Sequence, residues 1–152
     1  MPKGDRARLK ADPADGTTPV SHLLLEALAM AKISGREKGA LALLWRRTYG
    51  WVKGGVRLKE EHITLPQWAA WMNITEPGAS TIITKLVKHN IIKQTSLGQG
   101  KGYIYSTNTN IATWDGDCIN HQVLLKLITL TKTDTLTEND NPTLTENDNP
   151  TL

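Results

Sequence analysis

Apolar residues recur at helical spacing in four stretches of this chain. Ser21 caps the first, which runs to about Lys32 and turns Leu24, Leu25, Leu28 and Ala31 inward. Ser34 stands three residues before Glu37, the signature of a capping box, and opens a second helix to about Tyr49. Its inward set is Leu41, Leu44, Trp45 and Thr48, and Gly50 is placed to stop it. Thr64 caps a third helix with Pro66 in its first turn. Leu65, Trp68, Ala69 and Met72 repeat the i, i+3, i+4, i+7 stripe, and Asn73 ends the helix. A fourth begins after Thr75, again with a proline, Pro77, in its first turn. It buries Ala79, Ile82, Ile83 and Leu86, and Asn90 supplies a left-handed stop. Trp45 and Trp51 read as core, because aromatic residues near helical spacing usually fill one.

The period then changes. Ile91–Thr95 and Tyr103–Thr107 read as two strands around the glycine-rich tip SLGQGKG. Upstream, Lys53-Gly54-Gly55 is a turn, and Val56–Ile63 contains a short strand. Paired Glu60-Glu61 reads as a solvated loop. Cys118–Leu130 is apolar enough for one more helix or strand against the body. From Thr135 the sequence is the octad TLTENDNP, twice, and then TL. Short-period Thr, Asn, Asp and Pro cannot build a core, so residues 135–152 read as a disordered tail. Residues 1–19 read as a disordered arm. Its Lys3, Arg6, Arg8 and Lys10 either contact phosphates or, the reading favoured here, keep the chain soluble.

Helix, turn, helix, strand, basic glycine-rich tip and strand make the layout of a winged helix-turn-helix. In that layout a helix enters the DNA major groove and the hairpin touches the backbone beside it. The expected class is therefore mainly α with a small β-hairpin, a winged helix-turn-helix with disordered polar tails. Residues 20–115 form the DNA-binding domain and residues 116–134 a C-terminal extension.

Composition adds little until it is divided along the chain. The formal charge of the 152 residues is +3. Residues 1–115 carry sixteen basic and nine acidic side chains, a net +7, and residues 116–152 carry −4. A basic body with an acidic tail suits a nucleic-acid partner, although charge alone equally suits a solvated surface. The single cysteine, Cys118, permits no intrachain disulfide and points to a reducing, cytoplasmic setting. The N-terminus lacks the apolar stretch of a secretory signal, and no apolar run approaches the roughly 18 residues of a membrane span.

Candidate chemistry is sparse. The tip Gly98-Gln99-Gly100-Lys101-Gly102 lacks the spacing of a phosphate loop, and Tyr103 stands where that loop needs Ser or Thr. His22, His62, His89 and His121 show no ligand spacing, so neither metal nor cofactor is expected. No nucleophile or acid–base pair is recognisable, and the chain does not read as an enzyme. The DNA-reading candidates lie on the outer face of the fourth helix: Gly78, Ser80, Thr81, Thr84, Lys85 and Lys88. Threonines offer a hydroxyl or a methyl to base edges, lysine reaches guanine acceptors or phosphate, and small residues allow close approach. Lys93, Gln99 and Lys101 suit backbone contacts from the hairpin.

Leu23–Trp51 (LLLEALAMAKISGREKGALALLWRRTYGW), Ile63–Thr75 (ITLPQWAAWMNIT) and Ala79–Ile92 (ASTIITKLVKHNII) resemble the N-terminal domain of bacteriophage replication protein O. The resemblance runs from about Pro19 to Trp114. It implies a winged-helix domain that binds repeated sites at a phage replication origin, sites that in the family lie within the protein's own gene. It also implies delivery of a helicase through a helicase loader bound by the C-terminal part. Where the family often has basic residues at the start of the reading helix, this chain has Glu76 and Pro77. The partner-binding region is expected to be missing or reduced to the octad tail, which leaves a shortened initiator or a regulator that loads nothing.

Three readings stay open at this point. The leading one is sequence-specific double-stranded DNA binding at an origin in the bacterial host cytoplasm. Its partners would be a helicase or helicase loader and a second copy of the chain on DNA, with no membrane. The second is a winged-helix transcription regulator. The third is a protein-interaction module that uses the same helix face.

Overall fold

The computed structural model describes the backbone of residues 1–138 and the side chains of residues 1–130. Among these, six helices and two small antiparallel sheets make a mixed α/β fold. The helices are α1 (Lys3–Ala7), α2 (His22–Met30), α3 (Gly35–Arg47), α4 (Leu65–Met72), α5 (Glu76–Lys88) and α6 (His121–Glu138). The strands are β1 (Val52–Lys53), β2 (Val56–Arg57), β3 (Glu60–His62), β4 (Ile92–Ser96) and β5 (Tyr103–Thr107).

The helix starts follow their caps. Ser21 accepts from the Leu24 amide, and Ser34 and Glu37 form a reciprocal capping box. On α2 the buried residues are Leu24 and Ala27, while Leu25 is 48% exposed. The inward stripe is thus 24, 27, 28, 31 and not the expected 24, 25, 28, 31, because residue 25 lies about 100° round from residue 24. On α3 the expected set holds: Leu41, Leu44, Trp45 and Thr48 are all buried. The helix ends at Arg47 with Thr48 as its C-cap, and Gly50 is not a left-handed stop; glycine stands there for lack of space, since a Cβ would clash with the Arg46 carbonyl. Trp51 is not core. It is 44% exposed, with the Arg46 and Arg47 guanidinium groups 5.2 and 5.9 Å from its ring. Trp51 lies beyond the helix end, so helical spacing no longer governs where it points.

The expected hairpin is part of a larger sheet. The strand order is β3-β5-β4, with both neighbours antiparallel to β5. Glu60 and Glu61 therefore sit in a strand instead of a loop, and Glu61 faces Arg47 at 3.9 Å. The β1–β2 pair is a separate hairpin. Its turn glycines, Gly54 and Gly55, have φ of 59° and 78°, the pair of positive values that a type I′ turn demands.

The core lies between α3, α4, α5 and the sheet. Burying a residue such as Leu44, Ile83 or Leu86 contributes about 1.5–3 kcal/mol. Polar ties fix the register. Trp45 Nε1 donates to Thr107 Oγ1 at 2.9 Å, which fastens α3 to β5. The Asn108 amide donates to the Asn90 carbonyl and Thr113 Oγ1, both at 2.7 Å, and fastens the end of α5 to the 3-10 turn at Ile111–Thr113.

Outside this core, α1 buries no residue, so the N-terminal stretch expected to be disordered carries one isolated helical turn. A second turn follows at Pro13–Asp15 and is equally exposed. The apolar segment after Cys118 is the helix α6, packed on α2. It extends through Glu138 and so takes in the first four octad residues. The rest of the expected octad tail, 139–152, lies outside the described residues. No helix among them is long and apolar enough to cross a membrane.

Candidate nucleic-acid interface

The site is built from the α4–α5 corner and the β4–β5 hairpin. At the start of α4, Thr64 Oγ1 accepts from the Gln67 amide at 3.3 Å. The Gln67 side chain accepts from the Thr64 amide at 2.9 Å. Asn73 takes the left-handed conformation, φ 54° and ψ 51°, and turns the chain sharply. Thr75 then caps α5 by accepting from the Gly78 amide at 3.2 Å. Ala79, Ile83 and Leu86 are buried against the core, which fixes the rotation of the helix.

With that rotation, Ser80 and Thr84 form one exposed ridge, one turn apart, facing the hairpin. Thr81 and Lys85 form a second ridge opposite the buried stripe, because they lie about 160–200° from Ile83. Both ridges are exposed. The Thr81 hydroxyl donates to the Pro77 carbonyl at 3.1 Å, so its methyl and lone pairs are what it presents outward.

Ser80 and Thr84 form one wall of a groove of about 630 Å³. His62, at the end of β3, and Thr64 and Leu65, at the start of α4, close one end. Gln94 on β4, Tyr103 and Tyr105 on β5, and Gly100 to Gly102 at the tip form the other wall. The tip is a closed turn: the Lys101 amide donates to the Gly98 carbonyl at 3.1 Å and Leu97 to Gly102 at 3.0 Å. Glycine suits position 102 by its backbone, and a side chain there would displace a neighbour. The φ of Gly102 is +84°, and a Cβ would stand 2.7 Å from His62 Nε2.

Inside the groove, Gln94 Nε2 donates to the Tyr105 hydroxyl at 3.0 Å. The Tyr105 ring meets Trp68 edge-on, with centroids 5.5 Å apart. Burial pushes the Tyr105 hydroxyl above its ordinary pKa, opposed by the Gln94 hydrogen bond. The groove wall is therefore neutral and hydrogen-bonding, and Lys101 places a cation at its rim.

Of the nine expected residues, the fold gathers Ser80, Thr84 and Lys101 in this groove. Thr81, Lys85 and Lys88 are exposed on the adjoining faces of α5. Gly78 turns back toward Thr75 and Ile74, which a Cβ would meet at 3.2 and 3.8 Å. Lys93 precedes Gln94 in β4, so it points to the opposite face of the sheet. Gln99 is exposed at the tip and does not line the groove. Sequence reasoning missed His62, Gln94, Tyr103 and Tyr105. A period-two reading would have put Tyr103 and Tyr105 on one face, and the register pairs Gln94 with Tyr105. Nothing local marks His62, which arrives through the β3–β5 pairing.

A second cluster lies at the far end of α5. His89 Nδ1 and Asp115 Oδ2 are 3.0 Å apart, and the buried Cys118 adds a third potential ligand. Asp115 is held below the usual carboxylate range by the Asp117 amide and then by His89. Burial pushes the Cys118 thiol up, assisted by the charges of Asp115, Glu37 and Asp117. Ligand spacing along the chain could not find this set, because 26 residues separate His89 from Asp115.

A family model described as bacteriophage replication protein O matches residues 9–114. Replication protein O of Escherichia phage lambda is 32% identical over 104 residues, 68% of this chain. That match spans only 28% of the lambda protein's length. No solved structure matches the chain. The family match takes in α2 through β5, the whole framework of the groove, and the chain belongs to the bacteriophage replication protein O family.

Proposed function

We propose that this chain is a sequence-specific, double-stranded DNA-binding domain of the winged helix-turn-helix type. It acts without catalysis at repeated sites of a phage replication origin, inside the host cell, and takes part in initiating replication. The observation that carries the reading is the shared groove. Ser80 and Thr84 on the second helix of a helix-turn-helix corner face a hairpin whose tip carries Lys101. Such a helix fits the major groove, and such a tip reaches the adjacent backbone. On this reading Thr81, Thr84 and Lys85 meet base edges, and Lys88, Lys101 and Gln99 meet phosphates. Further proposals are a second copy bound alongside on the origin and a helicase or helicase loader as the protein partner.

The test is footprinting on the genome segment that encodes the chain, followed by competition binding. Several protected repeats within an origin support the proposal. One palindrome at a promoter would instead make the chain a transcription regulator, and no protected DNA would sink both. Thr84→Ala or Lys85→Ala should lose about 1–3 kcal/mol on the protected site and less on random DNA. Equal losses on both would remove these residues from base readout.

A further inference from the structure

Three metal-ligating side chains come together at the C-terminal end of α5. His89 Nδ1 or Nε2, an Asp115 carboxylate oxygen and Cys118 Sγ all lie within 4.8 Å of one another. The backbone sets them firmly. His89 caps α5 by donating its amide to the Lys85 carbonyl. The Asp115 amide donates to the His89 carbonyl at 2.9 Å, and the Cys118 amide to the Asp115 carbonyl at 2.9 Å. The Lys32 amide donates to the Cys118 carbonyl at 2.6 Å. Asp115 and Cys118 thus sit at the two ends of one turn, with the two-residue gap that paired cysteine ligands of zinc use. Here a carboxylate replaces the first thiolate.

We propose that His89, Asp115 and Cys118 form a three-ligand site for zinc, with water in the fourth position. Thiolate, imidazole and carboxylate together suit this borderline ion and not magnesium or calcium. Bonds of about 2.0–2.3 Å at tetrahedral angles set one sulfur and two lighter ligand atoms roughly 3.3–3.6 Å apart. The His89–Asp115 contact at 3.0 Å opens by a few tenths, and the separations to Cys118, all within 4.8 Å, close by at most about 1.2 Å. The Cys118 proton leaves to solvent as the thiolate binds. Half-exposed His89 and Asp115 leave the fourth position open to water. The ion would pin the end of α5 to the turn that leads into α6, and it involves none of the residues of the DNA groove.

The experiment titrates cobalt, as a spectroscopic stand-in, into the full chain, reduced and stripped with chelator. One equivalent should produce tetrahedral visible bands with a near-ultraviolet thiolate-to-cobalt band, and zinc should displace both. Cys118→Ser should abolish the thiolate band, and His89→Gln and Asp115→Asn should each weaken binding at least about tenfold. Zinc should raise the melting temperature of the parent chain and not that of Cys118→Ser. No thiolate band on the parent chain overturns the site, whether or not the variants fold. A band of parental strength in both His89→Gln and Asp115→Asn also overturns it, because a lone thiol would then be binding the metal.

Discussion

Gly102→Ala separates the stability of the hairpin from its use. Two effects meet at that position. The backbone has φ +84°, where an L-residue costs about 1–2 kcal/mol relative to glycine. The added Cβ would also stand 2.7 Å from His62 Nε2, 3.8 Å from Cε1 and 3.5 Å from Cδ2. His62 is exposed, so its ring can swing aside at little cost in stability. What is lost is its place at the end of the groove. Gly100 is the internal control. Its φ is +73°, but nothing lies within 4 Å of a Cβ there. Gly100→Ala and Gly102→Ala should therefore lower the melting temperature alike, by roughly 3–8 °C in a domain of this size. Only Gly102→Ala should displace His62.

If His62 donates a hydrogen bond to DNA worth about 1 kcal/mol, Gly102→Ala weakens binding about fivefold beyond Gly100→Ala. His62→Ala should show the same loss, and the double variant should lose no more than either alone. Thermal melting by circular dichroism and fluorescence anisotropy on the footprinted site read the two quantities. The reasoning is refuted if Gly102→Ala and Gly100→Ala match in affinity. It is equally refuted if the His62 and Gly102 losses add in full, since they could not then share one contact.

Three further outcomes are expected. Lys101→Ala should weaken binding about equally on all sequences and reduce the magnitude of the log–log salt slope by about 1; a changed sequence preference would show that Lys101 reads bases. Thr75→Ala removes the acceptor for the Gly78 amide and should destabilise the fold by about 1 kcal/mol in denaturant titrations, with the slope m unchanged. Tyr105 has a folded-state pKa above the ordinary value of 10.0, so its contribution is present below that pH and is lost as pH rises through the raised value. Alkaline unfolding should therefore soften in Tyr105→Phe, and an identical alkaline profile would count against the burial of that hydroxyl.

The helices were legible because local chemistry and core packing agree on them. Ser34 with Glu37, Thr64 with Pro66, and Asn90 each carry their own signal within four residues. The groove was half legible. Ser80 and Thr84 follow from the stripe they flank, because helix rotation is set by Ala79, Ile83 and Leu86. His62 and Gln94 reach the groove by strand pairing, a non-local event with no mark in the nearby sequence. Trp51 misled for the converse reason, since composition says core while its position past a helix end leaves it against two arginines. Lys93 was chosen by charge alone, and alternation from Gln94 places it on the other face of the sheet from the groove.

The closed helix ends bear on how such a domain would hold DNA. A free helix N-terminus offers amides and a positive dipole end to a phosphate. On α5 the Gly78 amide is already taken by Thr75, and Glu76 adds a negative charge to the first turn. On α4 the Gln67 amide is taken by Thr64. On the proposed reading, charged backbone anchoring then falls to Lys88 and Lys101, with Lys85 turned to base edges. Two charged phosphate contacts would give a salt slope of only about −2, against about −10 for a protein that grips the backbone extensively. A single domain of this kind would therefore bind one site weakly at physiological salt. Repeated sites change that arithmetic, because neighbouring copies that touch, or that are joined through a partner, convert later binding steps into nearly intramolecular ones. Weak single-site affinity is thus a physical reason for such a domain to work on an array of repeats.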